Sequence, residues 1–132
     1  MRAIVFVLIG LFIGALGAVA AIGALKQGTP YPKAVMAVMG QQMGALKGMR
    51  EKESCKAEDI ALRLNILAGM GAELESAFLP IGDDDKFKLR AQAYRDAISA
   101  AQAKDANTCD ALGEAMKGIG GSCKGCHDDF RG

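Results

Sequence analysis

The sequence predicts an all-α protein: an antiparallel up-down-up-down four-helix bundle with one N-terminal transmembrane or signal helix in front of it. Three observations predict it. Beyond residue 32, apolar residues recur at three- and four-residue steps in four stretches of about 20 residues, the period of amphipathic helices. The connections between stretches are only a few residues long, which forces neighbouring helices to pack antiparallel. No alternating strand pattern and no Gly-rich phosphate loop competes. The length of 132 residues holds one ordinary domain. Lys plus Arg (16) nearly cancels Asp plus Glu (15), which argues against a chain that binds nucleic acid through its charge.

The N-terminal segment comes first. Residues 4–25 carry no charge and follow Arg2, so they form an apolar run of 22 residues behind a short positive start. At 1.5 Å per residue the run spans roughly 30 Å of hydrocarbon, about twice the usual signal-peptide core, so it serves as an uncleaved membrane anchor. Ala18-Val19-Ala20 is a small-x-small pattern that a signal peptidase could cut, which keeps a cleaved signal open. Either way the remainder is exported, because the positive end stays in the cytoplasm. The expected organisation is an anchor or signal at 1–26, a linker at 27–32 containing Gly28, Pro30 and Pro32, and the bundle at 33–132.

The first bundle helix starts at Tyr31 or Lys33, and Val35, Met36, Met39, Met43, Leu46 and Met49 form its stripe. Ser54 is the expected N-cap of the second, whose stripe of Ile60, Leu64, Leu67, Leu74 and Phe78 runs to Pro80-Ile81-Gly82. Asp83, Asp84 and Asp85 put negative charge where a third helix begins, with Phe87, Tyr94, Ile98 and Ala101 facing inward. The fourth opens near Asn107 or Thr108 and passes through Leu112, Met116, Ile119 and Cys123 towards Phe130. Gly40, Gly44 and Gly48 extend one row of the first helix, each costing about 1 kcal/mol against alanine. Two readings fit the row: close helix packing at a subunit interface, as in a homodimer, or a bulky flat group lying against the helix near Met36.

Cys123-Lys124-Gly125-Cys126-His127 carries the chemistry. Two thiols one helical turn apart add across the vinyl groups of haem, and the adjacent imidazole becomes the proximal iron ligand. A zinc site would need a second pair of ligands, and Cys55 and Cys109 lack the spacing. A thioredoxin-like redox pair would need a βαβ context. One covalent haem c is therefore the expected cofactor.

With Phe130 and Arg131 the motif reads C-x-x-C-H-x-x-F-R near the end of a four-helix chain. This resembles the class II c-type cytochromes, the cytochrome c prime family, over about residues 31–132. The resemblance includes the Met39-Gly40 and Met43-Gly44 pairs of the first helix. It implies that Met36 covers the distal haem face, that Met39, Gly40, Phe130 and Arg131 pack around the haem, and, as in the low-spin branch, that the Met36 sulfur is the sixth ligand. The chain departs from the family where an arginine often precedes the distal position, since Pro32 and Lys33 stand there. Bundle topology independently brings Met36 to the end that holds His127, with Met39 its nearest rival; most of the methionine stripe is core. The same topology places Cys55 and Cys109, each at a helix start, at the opposite end. A disulfide is chemically sensible there in an exported chain, the other option being two separate buried thiols.

A haem held by His127 and a thioether exchanges an electron with little rearrangement. The expected function is electron transfer by a membrane-anchored single-haem cytochrome on the periplasmic side of the bacterial inner membrane. Its partners would be redox proteins or a larger membrane complex. Residues 4–25 contact the membrane, no nucleic acid is involved, and no catalytic constellation makes it an enzyme. Two alternatives stay open: a five-coordinate gas-binding cytochrome in which Met36 only packs, and a haem-bearing accessory subunit.

Overall fold

The structure is a computed structural model that describes residues 31–104 and 108–131, with Gly10, Gly14, Ala15 and Gly17 of the N-terminal segment. The chain divides into two units, Met1–Pro30 and Tyr31–Gly132. The four described residues of the first unit are helical and exposed. Apart from those four, the expected span at 4–25 lies outside the described residues, as do linker residues 27–30. Among the described residues no helix is long and apolar enough to cross a membrane.

The second unit is helical throughout its regular structure. Its elements are α1 (Tyr31–Glu51), α2 (Ala57–Ala72), α3 (Leu74–Ala77), a 3₁₀ turn (Ile81–Asp83), α4 (Asp85–Ala103) and α5 (Cys109–Phe130). The four long helices pack as a bundle, and residue pairings show neighbours running antiparallel. From α2 to α4, Asn65 meets Gln102 and Gly71 meets Arg95, one index rising as the other falls. Tyr31 at the start of α1 donates to Glu73 beyond the end of α2, at 2.9 Å.

Three boundaries differ from the sequence expectation. The bundle starts at Tyr31, so Pro32 belongs to α1 and not to the linker. A first-turn proline loses nothing, because its missing N–H would have had no intrahelical partner. Ser54 does not cap α2. It lies in the turn that closes α1, its N–H donating to Met49 at 2.9 Å, while Lys56 is the N-cap and provides no side-chain bond. The second stripe is also not one helix. After the weak helix formers Gly69 and Gly71, the Glu73 N–H turns back to Met70, a 3₁₀-type closure, and the chain restarts as α3. Beyond Phe78, Gly82 is buried so close to the Glu75 carbonyl that a Cβ would overlap it.

The last two helices begin as the sequence indicates. Asp84 caps α4, accepting from the Phe87 N–H at 3.0 Å, and Thr108 caps α5, accepting from Ala111 at 3.2 Å. Leu46, Ile60, Leu67, Ile98, Leu112 and Ile119 are fully buried between the helices, each contributing about 1.5–3 kcal/mol by leaving water. A disulfide joins Cys55 to Cys109 with Cα atoms 5.3 Å apart, tying the start of α2 to the start of α5. One polar side chain is buried in the described core, Gln42 of α1, and Arg63 of α2 donates to its amide oxygen at 2.9 Å.

Candidate functional site

At the other end of the bundle the helices part around a cavity of about 600 Å³, within the range of sites that enclose a cofactor. The antiparallel register places it: the first turns of α1 lie beside the last turns of α5. Met36, Met39, Gly40 and Met43 line it from α1, with Leu67 of α2, Leu74 of α3 and Phe78 just beyond. Arg90 and Tyr94 enter from α4, and Cys123, Cys126, His127, Phe130 and Arg131 from the end of α5. All eight residues expected around the haem therefore face one cavity. Among the described residues, nothing lies within 4 Å of where a Cβ would stand on Gly40, Gly44 or Gly48, so no described helix packs closely onto that row.

Cys123 and Cys126 are half-buried free thiols. Burial is the main force pushing both above the ordinary thiol value. The neighbouring Cys126 adds to it at Cys123; at Cys126 the Arg90 charge opposes burial and Asp129 adds to it. Both are protonated at neutral pH, the form that adds S–H across a vinyl double bond. Two such thiols one turn apart, an adjacent imidazole and an apolar cavity suit a covalently held haem. Zinc does not fit. Among the described residues no three His, Cys, Asp or Glu side chains are close enough to hold a metal between them, and Cys55 and Cys109 are consumed in the disulfide.

Sequence patterning missed several residues of the site. Tyr94 is 3% exposed and its hydroxyl donates to the Leu67 carbonyl at 3.1 Å; burial drives its ionisation well above the ordinary tyrosine value. The Tyr94 ring occupies the space a side chain at Gly71 would need, with Cε1 2.8 Å from a Cβ built there. Arg90 donates from Nε to Asp129 at 2.7 Å, and Lys86 pairs with the other oxygen of that carboxylate at 2.8 Å. These two cations hold the Asp129 carboxyl below its usual range. Asp129 had the look of one more solvated charge, yet its side chain is 17% exposed, whereas Asp128 is 59% exposed and reaches only Lys124 of its own helix. Phe130 packs edge-on against Phe87 at 5.3 Å, and Phe87 lies 5.5 Å from Phe78, so the two cavity-lining rings are joined through Phe87.

Comparison with known proteins agrees with this arrangement. The family described as Cytochrome C' matches residues 29–131. The chain is 32% identical to a cytochrome c' of Halomonas halodenitrificans over 123 residues, covering 76% of this chain and 92% of the relative. It is also 32% identical to a cytochrome c' of Pararhodospirillum photometricum over 117 residues, covering 82% and 90%. No solved structure gives a significant match. A match across the whole bundle, with the thiol pair and the histidine in one cavity, means that the chain belongs to the cytochrome c′ family, whose members carry covalently attached haem c.

Proposed function

We propose that this chain is an exported single-haem cytochrome c′ that binds a small neutral gas molecule on the distal side of its iron. Cys123 and Cys126 would hold the haem as thioethers, the chemistry required being addition of each S–H across a vinyl group, sulfur and hydrogen each bonding to carbon. His127, which lines the same cavity, would bind its iron. Haem supplies an iron that coordinates diatomic gases; the protein supplies one imidazole and decides what reaches the opposite face. The apolar segment at 4–25 lies outside the family match, which begins at residue 29, and acts as the export signal.

One observation carries the gas-binding choice. The helices other than α4 and α5 contribute no charged side chain and no imidazole to the cavity: Met36, Met39, Met43, Leu67 and Leu74 are all apolar. Such a wall admits a neutral diatomic and disfavours water and anions, whose burial without partners costs several kcal/mol. In this reading Met36 packs over the distal face.

A second reading rests on Met36 itself, which lines the cavity from the first turns of α1. If its sulfur fills the sixth position, the chain is an electron carrier for redox partners, and the membrane-retained form becomes the natural one. The absorption spectrum of the reduced protein, with and without carbon monoxide, separates the two. Gas binding predicts a high-spin reduced spectrum that shifts with carbon monoxide and is unchanged by Met36→Leu. A low-spin spectrum indifferent to carbon monoxide, turned high-spin by Met36→Leu, would refute gas binding in favour of electron transfer.

A further inference from the structure

We infer that Asp129 is a positioning residue for His127, its carboxylate holding the last turn of α5 so that the imidazole meets the iron at a fixed angle. The inference rests on His127 being the proximal ligand. His127 belongs to the final turn of its helix: α5 ends at Phe130, and the His127 carbonyl accepts from Arg131 at 2.9 Å. A last turn is where helices fray, because its carbonyls run out of intrahelical partners. An iron ligand carried there needs an external hold.

The first two turns of α4 provide one through three kinds of contact. Lys86 and Arg90 grip the two oxygens of Asp129 separately, at 2.8 and 2.7 Å. Phe87, one residue along from Lys86, packs edge-on against Phe130. Arg90 also covers Gly125, where a Cβ would stand 3.1 Å from its Nη1, so the guanidinium lies directly over the Cys-Lys-Gly-Cys-His turn. This end of α4 is itself fixed by the Asp84 cap on the Phe87 N–H. Asp128, next in sequence, pairs only with Lys124 within α5 and ties the turn to nothing else. Asparagine at 129 would keep the shape but offer one acceptor oxygen, leaving an amide NH₂ facing the second cation.

The test uses the full-length haem protein and the electron paramagnetic resonance of its ferric iron, whose g values report proximal geometry in either spin state. Asp129→Asn and Asp129→Ala should shift and broaden the g values, and Asp129→Glu should bring them back towards the parent. Glu75→Ala serves as the structural control. It removes the pair that Arg95 makes with Glu75 at 2.8 Å, which ties α3 to α4 away from α5, and it should lower thermal stability with parental g values. Parental g values in Asp129→Ala, or an equal shift in Glu75→Ala, overturn the inference. His127→Ala separates the two levels. If it changes the resonance while the Asp129 variants do not, the positioning role alone fails; if it changes nothing, the ligand assignment fails and the inference with it.

Discussion

Replacing Cys55 and Cys109 together by serine should cost this small domain as much stability as a large-to-small core substitution, with the haem spectrum untouched. The bridge joins residues 54 apart. For a loop of that size the chain-entropy treatment gives a loss of ~4 kcal/mol, most of it exerted on the unfolded chain, which regains freedom when the link is cut. In a domain of this length 1 kcal/mol moves the melting temperature by about 4–8 °C, so the midpoint should fall by roughly 15–30 °C. Guanidinium unfolding followed by helical circular dichroism measures the free energy. The slope against denaturant should rise slightly, because the uncrosslinked unfolded chain is more expanded. The Soret band should not move, since the bridge ties the starts of α2 and α5 while the cavity is lined by the end of α5. A loss below about 1 kcal/mol would refute the entropic account, and a displaced Soret band would show that the two ends of the bundle are coupled.

Three further outcomes follow from the packing. Ile119→Ala, at a site with no exposure and outside the cavity lining, should cost about 2–5 kcal/mol by denaturant unfolding. Asp84→Ala removes the acceptor for the Phe87 N–H and should cost about 1 kcal/mol. Tyr94→Phe should remove about 1 kcal/mol at neutral pH, with the Leu67 hydrogen bond. In the parent, Tyr94 stays protonated above its ordinary value of 10.0 while the unfolded chain ionises there. The unfolded state then binds fewer protons, so stability falls as pH rises past 10.0, by up to about 1.4 kcal/mol per unit. The phenylalanine variant lacks that contribution, so the parent's advantage should shrink as pH rises past 10.0 and reverse about one unit higher.

What sequence reasoning reached and what it missed divide along physical lines. The haem motif is legible because its chemistry is local: Cys123, Cys126 and His127 occupy a single turn. Met36, Met39 and Gly40 could be brought to the same end because short connections fix the sense of each helix, and the same logic placed Cys55 beside Cys109. Asp84 and Thr108 carry capping oxygens where the apolar period begins. Ser54 carries one too, but the turn closing α1 takes its backbone first, so a good capping residue sits two positions early. The break at Glu73 has only weak local marks, two glycines in a stripe that keeps its phase into α3. Lys86, Arg90 and Tyr94 have none. Arg90 and Asp129 are 39 residues apart and meet only because α4 starts where α5 ends, a fact of tertiary register that no window of sequence contains.

The unbroken length of α5 bears on how the chain is made as well as how it works. Any two of the four cysteines could form a first bridge, six choices in all, and only Cys55–Cys109 leaves both Cys123 and Cys126 unoxidised for thioether formation. In an oxidising compartment, where a bridge such as Cys55–Cys109 persists, wrong pairing is a hazard while the chain folds. On the finished helix, 14 residues of rise set Cys109 and Cys123 about 21 Å apart, well beyond the span of a disulfide. Helix α5 therefore acts as a ruler: once it forms, no bridge can cross from Cys109 at one end of the bundle to the haem thiols at the other.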